Sequence, residues 1–226
     1  MAWLKRLPVF LCIALSLMFL TQAQGDKLLL LDRMVQISNR RPILDQGKIA
    51  GVGVMIAPGL VLTAAHVAAV RGLSSSLVIS RGAQSWGAQV IATGRLEDVD
   101  AALLSTDIGT LPPALATLPS LPLCAMSAVP GEVLGVAGAW DIQRANALST
   151  DAIPEPLRHH YTSLLDRADE IGNSGSAVIN YRRGCLQGII SQKIERTNQN
   201  GDRKIIAKYY VDSPTMIDFF EINFRS

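Results

Sequence analysis

Three short segments carry side chains that acyl transfer can use: Thr63-Ala64-Ala65-His66, Asp98-Val99-Asp100 ahead of Ala101-Ala102-Leu103-Leu104, and Gly172-Asn173-Ser174-Gly175-Ser176. A serine hydroxyl is a weak nucleophile until a neighbouring base takes its proton. An imidazole serves as that base when a carboxylate fixes its tautomer. Ser174, His66 and Asp100 supply these three groups. Each alone has an ordinary reading: a surface histidine, an aspartate ending a turn, a loop of good turn residues. The small residues beside them fit the chemistry. Ala64 and Ala65 permit tight packing next to His66, while Gly172 and Gly175 let the backbone turn sharply around Ser174. Such a turn can aim the amide N–H groups of Gly172 and Ser174 at a developing oxyanion, where preorganised donors contribute several kcal/mol to the transition state.

The elements that must position these groups read as β-structure. Residues 50–56 alternate small and branched side chains, Ala57-Pro58-Gly59 has turn chemistry, and Leu60-Val61-Leu62 resumes the apolar run, which predicts a hairpin. Further strands are expected at 76–79, 89–93, 101–104, 133–137, 177–180, 186–191 and 205–211, each short and bounded by Gly, Pro, Ser or Asn. Many short strands without alternating long helices point to a sandwich or barrel. Residues 110–122 hold four prolines and little charge, an extended connector between two comparable halves. Ser213-Pro214 followed by Met216, Ile217, Phe219 and Phe220 at near-helical spacing predicts a closing helix.

Composition bounds the function. Of 226 residues 49% are apolar and 18% charged, so the chain can bury a core and is not disordered. A net charge of +2, with Lys and Arg scattered apart from pairs such as Arg40-Arg41 and Arg182-Arg183, offers no cationic face for nucleic acid. Lys5 and Arg6, an apolar stretch over 9–20 and a small-residue end at Thr21-Gln22-Ala23 read as a signal peptide cleaved near Ala23. The expectation is export to a periplasm or the extracellular space, with no membrane span in the mature form. Cys124 and Cys185 are the two cysteines left after such cleavage, a pair able to bridge in an oxidising compartment. Neither has a CxxC or CxxH neighbour and the chain holds three histidines, so no metal site and no cofactor are expected.

In order and spacing the chain resembles the trypsin/chymotrypsin-like serine proteases over roughly residues 48–220. Leu62-Thr63-Ala64-Ala65-His66 is similar to the family's histidine motif, Asp100-Ala101-Ala102-Leu103-Leu104 to its aspartate motif, and Gly172-Asn173-Ser174-Gly175-Ser176 to its nucleophile motif. The order His, Asp, Ser matches that arrangement. Residues 135–140 are similar to the family's glycine and tryptophan strand, and Gly188-Ile189-Ile190-Ser191 to the strand whose backbone pairs with substrate. The resemblance implies an all-β fold of two packed six-stranded antiparallel barrels with a C-terminal helix. His66 and Asp100 would come from the first barrel (48–109) and Ser174 from the second (124–226), after an N-terminal segment (24–47) and the connector (110–123). It also implies a peptide or protein substrate cleaved through an acyl-enzyme. Asp98 competes with Asp100 for the orienting role; Asp100 is preferred because it directly precedes the apolar run.

Some positions depart from the pattern. Where trypsin and chymotrypsin carry an aspartate that pairs with a new N-terminus, this chain has Asn173, a neutral amide that cannot form the ion pair. The Gly-Asn-Ser-Gly form is closest to bacterial secreted members, glutamyl endopeptidase-like or HtrA-like. Removal of the signal peptide is expected to suffice for activity, with Arg40-Arg41 as a candidate propeptide cleavage site. The resemblance places Ala168 at the base of the specificity pocket, next to Asp169. An inward Asp169 favours Lys or Arg substrates, Ala168 alone an uncharged side chain, and Lys193 beyond Ser191 an acidic one. His159 and His160 read as a solvated loop. A catalytically silent binding protein on the same fold and a serine esterase of another fold are the alternative functions.

Overall fold

The computed structural model describes residues 30–40, 49–69, 76–159, 161–167, 171–198 and 200–225. Twelve strands form two closed antiparallel barrels of six. The first contains β1 (Met34–Arg40), β2 (Ile49–Ala57), β3 (Leu60–Thr63), β4 (Ser76–Arg81), β5 (Gln84–Thr93) and β6 (Ala102–Ser105), in the circular order β1-β2-β3-β6-β5-β4. The second contains β7 (Val133–Ala137), β8 (Ile142–Leu148), β9 (Leu164–Leu165), β10 (Ala177–Asn180), β11 (Cys185–Thr197) and β12 (Arg203–Asp212), in the order β10-β11-β12-β9-β8-β7.

The two barrels explain why many strands read as continuous apolar runs. Successive side chains on a strand point to opposite faces, and here both faces are buried. Val61 and Leu104 join a core with Val35, Ile37, Met55 and Ile79 inside the first barrel. Their neighbours Leu62 and Leu103 face a second core shared by both barrels, with Val52, Val54, Ala177, Ile189, Val211 and Met216. In the second barrel, Ile190 and Val178 line the interior with Leu134, Leu165 and Tyr210, while Ile189 and Ile179 turn to the shared core.

The expected fold class is what forms, with local differences. The first barrel begins before the expected residue 48, because Met34–Arg40 supplies a strand paired to both β2 and β4. The connector is not extended throughout: Pro113–Ala116 makes one helical turn with Pro113 at its start, where a missing N–H is harmless. β8 and β9 complete the second barrel where no strand was expected.

Two features tie distant parts of the chain together. The Cys124–Cys185 disulfide joins the residue just after the connector to β11, beside a backbone bond from the Cys124 amide to the Leu186 carbonyl at 2.9 Å. The closing helix Ser213–Arg225 starts at Asp212, whose Oδ1 accepts from the Thr215 amide (3.2 Å) and hydroxyl (2.6 Å), a side-chain N-cap. That helix buries Met216 in the shared core. None of the helices among the described residues is long and apolar enough to cross a membrane. The signal-peptide reading, Arg41, His160, Ala168 and Asp169 lie outside the described residues.

Candidate active site

His66 sits in a single helical turn, Ala65–Ala68, directly after β3. Ala64, Ala65, Val67 and Ala68 are all buried, so the turn is wedged against the first barrel and leaves the His66 ring as its accessible face. Asp100 stands just before β6, and β3 and β6 pair directly, Thr63 opposite Ala102. That pairing brings the aspartate beneath the histidine.

The Asp100 carboxylate grips one residue twice. Its Oδ1 accepts the His66 backbone amide at 3.0 Å and its Oδ2 the ring Nδ1 at 2.7 Å. Asp100 is 1% exposed, whereas Asp98 lies on the surface. Oδ2 also accepts the Ser191 hydroxyl at 2.5 Å. Burial alone would raise the Asp100 pKa. The hydrogen bonds from the His66 ring, the Ser191 hydroxyl and the His66 amide, with the histidine's charge, outweigh it and hold the carboxyl below its ordinary value. An ionised Asp100 accepts a hydrogen bond from Nδ1–H, which leaves Nε2 as the basic nitrogen; the tautomer follows from this network.

Ser174 lies on the loop between β9 and β10, and both barrels hold that loop. Its carbonyl accepts the Val52 amide of β2 at 3.0 Å, and the next amide, Gly175, donates to Ile190 of β11 at 2.7 Å. Gly175 has φ 84°, and a Cβ there would meet the Val52 carbonyl oxygen at 1.8 Å, so only glycine fits between the barrels. The Asn173 amide donates to the buried Ser176 hydroxyl at 2.8 Å, which pins the turn from below. Gly172, the candidate oxyanion donor beside Ser174, has φ 52°, and a Cβ there would lie 2.8 Å from Val136 Cγ1.

Ser191 joins the two halves. Its side chain bonds Asp100, and its carbonyl accepts the Ser174 hydroxyl at 3.3 Å. The sequence reading placed Ser191 on the substrate strand through its backbone alone and missed the hydroxyl's bond to the carboxylate. A hydroxyl on an apolar stretch was the available signal.

Two clefts flank Ser174. One, of about 600 Å³, is lined by Gln36, Ala50, Trp140, Gly172, Ser174 and Lys208 among others; the other, of about 350 Å³, by Ser191, Gln192, Lys193 and Lys208. Lys193 borders the second cleft but ion-pairs with Glu195 at 2.7 Å. His159 is exposed. Among the described residues no three His, Cys, Asp or Glu side chains converge as a metal set. Lys208 was not foreseen; its signal was a lone cation in the otherwise apolar run Ile205-Ile206-Ala207-Lys208-Tyr209-Tyr210-Val211.

Comparison with known proteins agrees with the two-barrel fold. The Rv3671c protease of M. tuberculosis is similar in fold in its inactive form (20% identity, 85% of this chain and 89% of that one, TM-score 0.56). Its active form is equally similar (20% identity, 84% and 80%, TM-score 0.55). Kallikrein-related peptidase 10 aligns at 18% identity over 86% of this chain and 96% of its own, with TM-score 0.56. No protein in the curated sequence comparison matches the chain. The family model of the trypsin-like peptidase domain matches residues 51–189, a span that contains His66, Asp100 and Ser174, and the chain belongs to that family.

Proposed function

We propose that this protein is a serine endopeptidase that hydrolyses peptide bonds through an acyl-enzyme on Ser174. The observation that carries the reading is the Ser191 link, which ties the Asp100–His66 pair to the Ser174 hydroxyl through one residue. The family match and the trypsin-fold peptidases similar to the chain support it.

In the proposed reaction, an extended substrate pairs with β11 and its N–H takes the Ser191 carbonyl. The Ser174 hydroxyl is thereby released to His66. Oγ forms a bond to the scissile carbonyl carbon as its proton passes to Nε2, and the Gly172 and Ser174 amides receive the negative oxygen. The C–N bond then breaks, and His66 returns the proton to the departing amine. Water, deprotonated by the same imidazole, releases the acyl group and regenerates Ser174. Asp100 stays ionised throughout and stabilises the imidazolium. No cofactor enters these steps.

We read the enzyme as active without pairing a new N-terminus to the residue before the nucleophile. Asn173 is a neutral, exposed amide, and its backbone is satisfied by Ser176. The proposed location is outside the cytoplasm, supported by the N-terminal sequence pattern and by the Cys124–Cys185 bridge. In the form of the Gly-Asn-Ser-Gly motif the chain resembles HtrA-like and glutamyl endopeptidase-like members.

The test is covalent labelling. A fluorophosphonate should modify Ser174 in protein starting near residue 24 and fail to modify the His66→Ala variant. An unlabelled wild type that cuts nothing in a mixed peptide library would favour the silent binding protein instead. Labelling that appears only after cleavage near Arg41 would replace signal removal with propeptide removal as the activating step.

A further inference from the structure

We propose that Lys208 is a positioning residue for the oxyanion loop, its ammonium holding the peptide groups on either side of Gly172. The inference rests on the peptidase reading above and deepens it.

Lys208 lies on β12, opposite Lys193 of β11 on one side and Leu165 of β9 on the other. Its neighbours Ala207 and Tyr209 are buried in the shared core, and the half-buried Lys208 reaches instead toward the nucleophile loop. There its Nζ donates to two consecutive main-chain carbonyls, those of Ile171 and Gly172. It lines both clefts beside Ser174.

Peptide planarity turns these two contacts into control of the site. In a trans peptide the C=O and the following N–H point in opposite directions. Anchoring the Ile171 carbonyl therefore sets the direction of the Gly172 N–H, the candidate oxyanion donor. Anchoring the Gly172 carbonyl sets the Asn173 N–H, which meets Ser176 Oγ at 2.8 Å. Two carbonyl dipoles converging on one point repel each other unless a cation lies between them. Gly172, at φ 52° and without a Cβ, has a backbone that can adopt several conformations, so its orientation depends on outside contacts. Asn173 carries no charge with which to supply one. Lys208 brings the charge from an adjacent strand, where packing of Ala207, Tyr209 and Tyr210 fixes the backbone that carries it.

The experiment compares wild type, Lys208→Met, Lys208→Gln and Lys208→Arg on peptide substrates with neutral, acidic and basic residues before the scissile bond. Fluorophosphonate labelling rates are measured beside kcat and KM. Loss of oxyanion preorganisation acts on the transition state, so the expected result is a fall in kcat of about 100-fold in the Met variant, with KM little changed. The fall should be the same for all three substrate classes and should be matched by slower labelling. The Gln variant, which keeps a donor but no charge, should lose less, and the Arg variant least.

Wild-type kcat in both Met and Gln variants would overturn the proposal while leaving the peptidase reading intact. A rise in KM confined to acidic substrates would also overturn it, making Lys208 a specificity residue instead. An unreactive wild type would fail the peptidase reading itself. Should the Met variant not fold, the Gln and Arg variants decide, since unchanged kcat and labelling in Gln alone contradict the role.

Discussion

His66 comes from the first barrel and Ser174 from the second, and the contacts that hold them differ in kind. The imidazole is fixed by side-chain bonds to a buried carboxylate, which itself accepts three hydrogen bonds and sits at the mouth of a β3–β6 pair. The hydroxyl rides on a loop held almost wholly through its backbone: Ser174 to Val52, Gly175 to Ile190, Asn173 to Ser176, and Ile171 and Gly172 to Lys208. The base is thus preorganised mostly by chemistry within the first barrel, with Ser191 of the second barrel adding one of the three hydrogen bonds to the carboxylate. The nucleophile loop exists in its present shape only when both barrels are in place. Substitutions on the first side should therefore act through protonation and tautomer, and those on the second through geometry.

The sharpest way to break the comparison is at the carboxylate. Asp100→Asn keeps the shape but offers an amide to Nδ1, which favours the wrong tautomer and removes the charge facing the imidazolium. A loss on the order of 10⁴ in kcat is expected, by analogy with the same change in serine proteases. Asp98→Asn, on the surface, should leave kcat near wild type. Steady-state turnover of the two variants settles the assignment; a silent Asp98→Asn protein beside an active Asp100→Asn one would reverse it.

On the loop side, Gly172→Ala is the next largest test. The new Cβ must pass Val136 Cγ1 at 2.8 Å and Ser176 Cβ at 3.0 Å while φ stays at 52°. Relaxing either contact turns the Gly172 amide. A fall of about 10² to 10³ in kcat is expected, as for loss of one oxyanion donor. Gly184→Ala is the matched control, since it too has positive φ, 66°, but open space at its Cβ. It should lose about 1 kcal/mol of stability from the left-handed backbone and keep full activity. Equal activity loss in both would show that the effect is backbone strain and not the site.

How much of this could be read in the sequence follows from the same contrast. The three triad segments were legible because their residue types are scarce and their neighbours small. The strands at 60–62, 101–104 and 186–191 were legible because burial on both faces makes the apolar run continuous. β8 was not, because Ala145 and Ala147 fill its inward positions while Arg144 and Asn146 face out, a weak alternation of small side chains. β1 hid in the same way: Val35 and Ile37 alternate with Gln36 and Ser38, too short a pattern beside its polar end. Two-residue β9 has no periodicity to detect. The competition between Asp98 and Asp100 was resolved by the hydrogen bonds to His66 and by burial, which two aspartates two residues apart on an extended chain do not announce. Lys208 acts on residues almost forty positions away, across a strand pairing that local pattern cannot specify.

The smallest expected effect tests whether Ser191 belongs to the base side of the comparison. Ser191→Ala removes one of the three hydrogen bonds that Asp100 accepts but leaves the Ser191 carbonyl, and so the nucleophile side, unchanged. A hydrogen bond to an ionised group is worth about 1.5 to 3 kcal/mol, and part of that should appear as a rise in the Asp100 pKa. The direction of its effect on stability follows from linkage. A carboxyl whose folded pKa is depressed contributes stability that is complete above its unfolded value, near 3.8 for aspartate, and is lost as pH falls through the lowered folded value. In Ser191→Ala the folded value moves up toward the unfolded one. The Asp100 contribution to stability becomes smaller and is lost at higher pH, so the acid limb of thermal stability shifts upward. Asp100→Asn, which has no carboxyl to titrate, should show no such shift when combined with Ser191→Ala. Melting curves between pH 2 and 6 for the four proteins give the cycle. An additive double variant would mean that Ser191 supports the fold by packing alone and has no part in holding the carboxylate ionised.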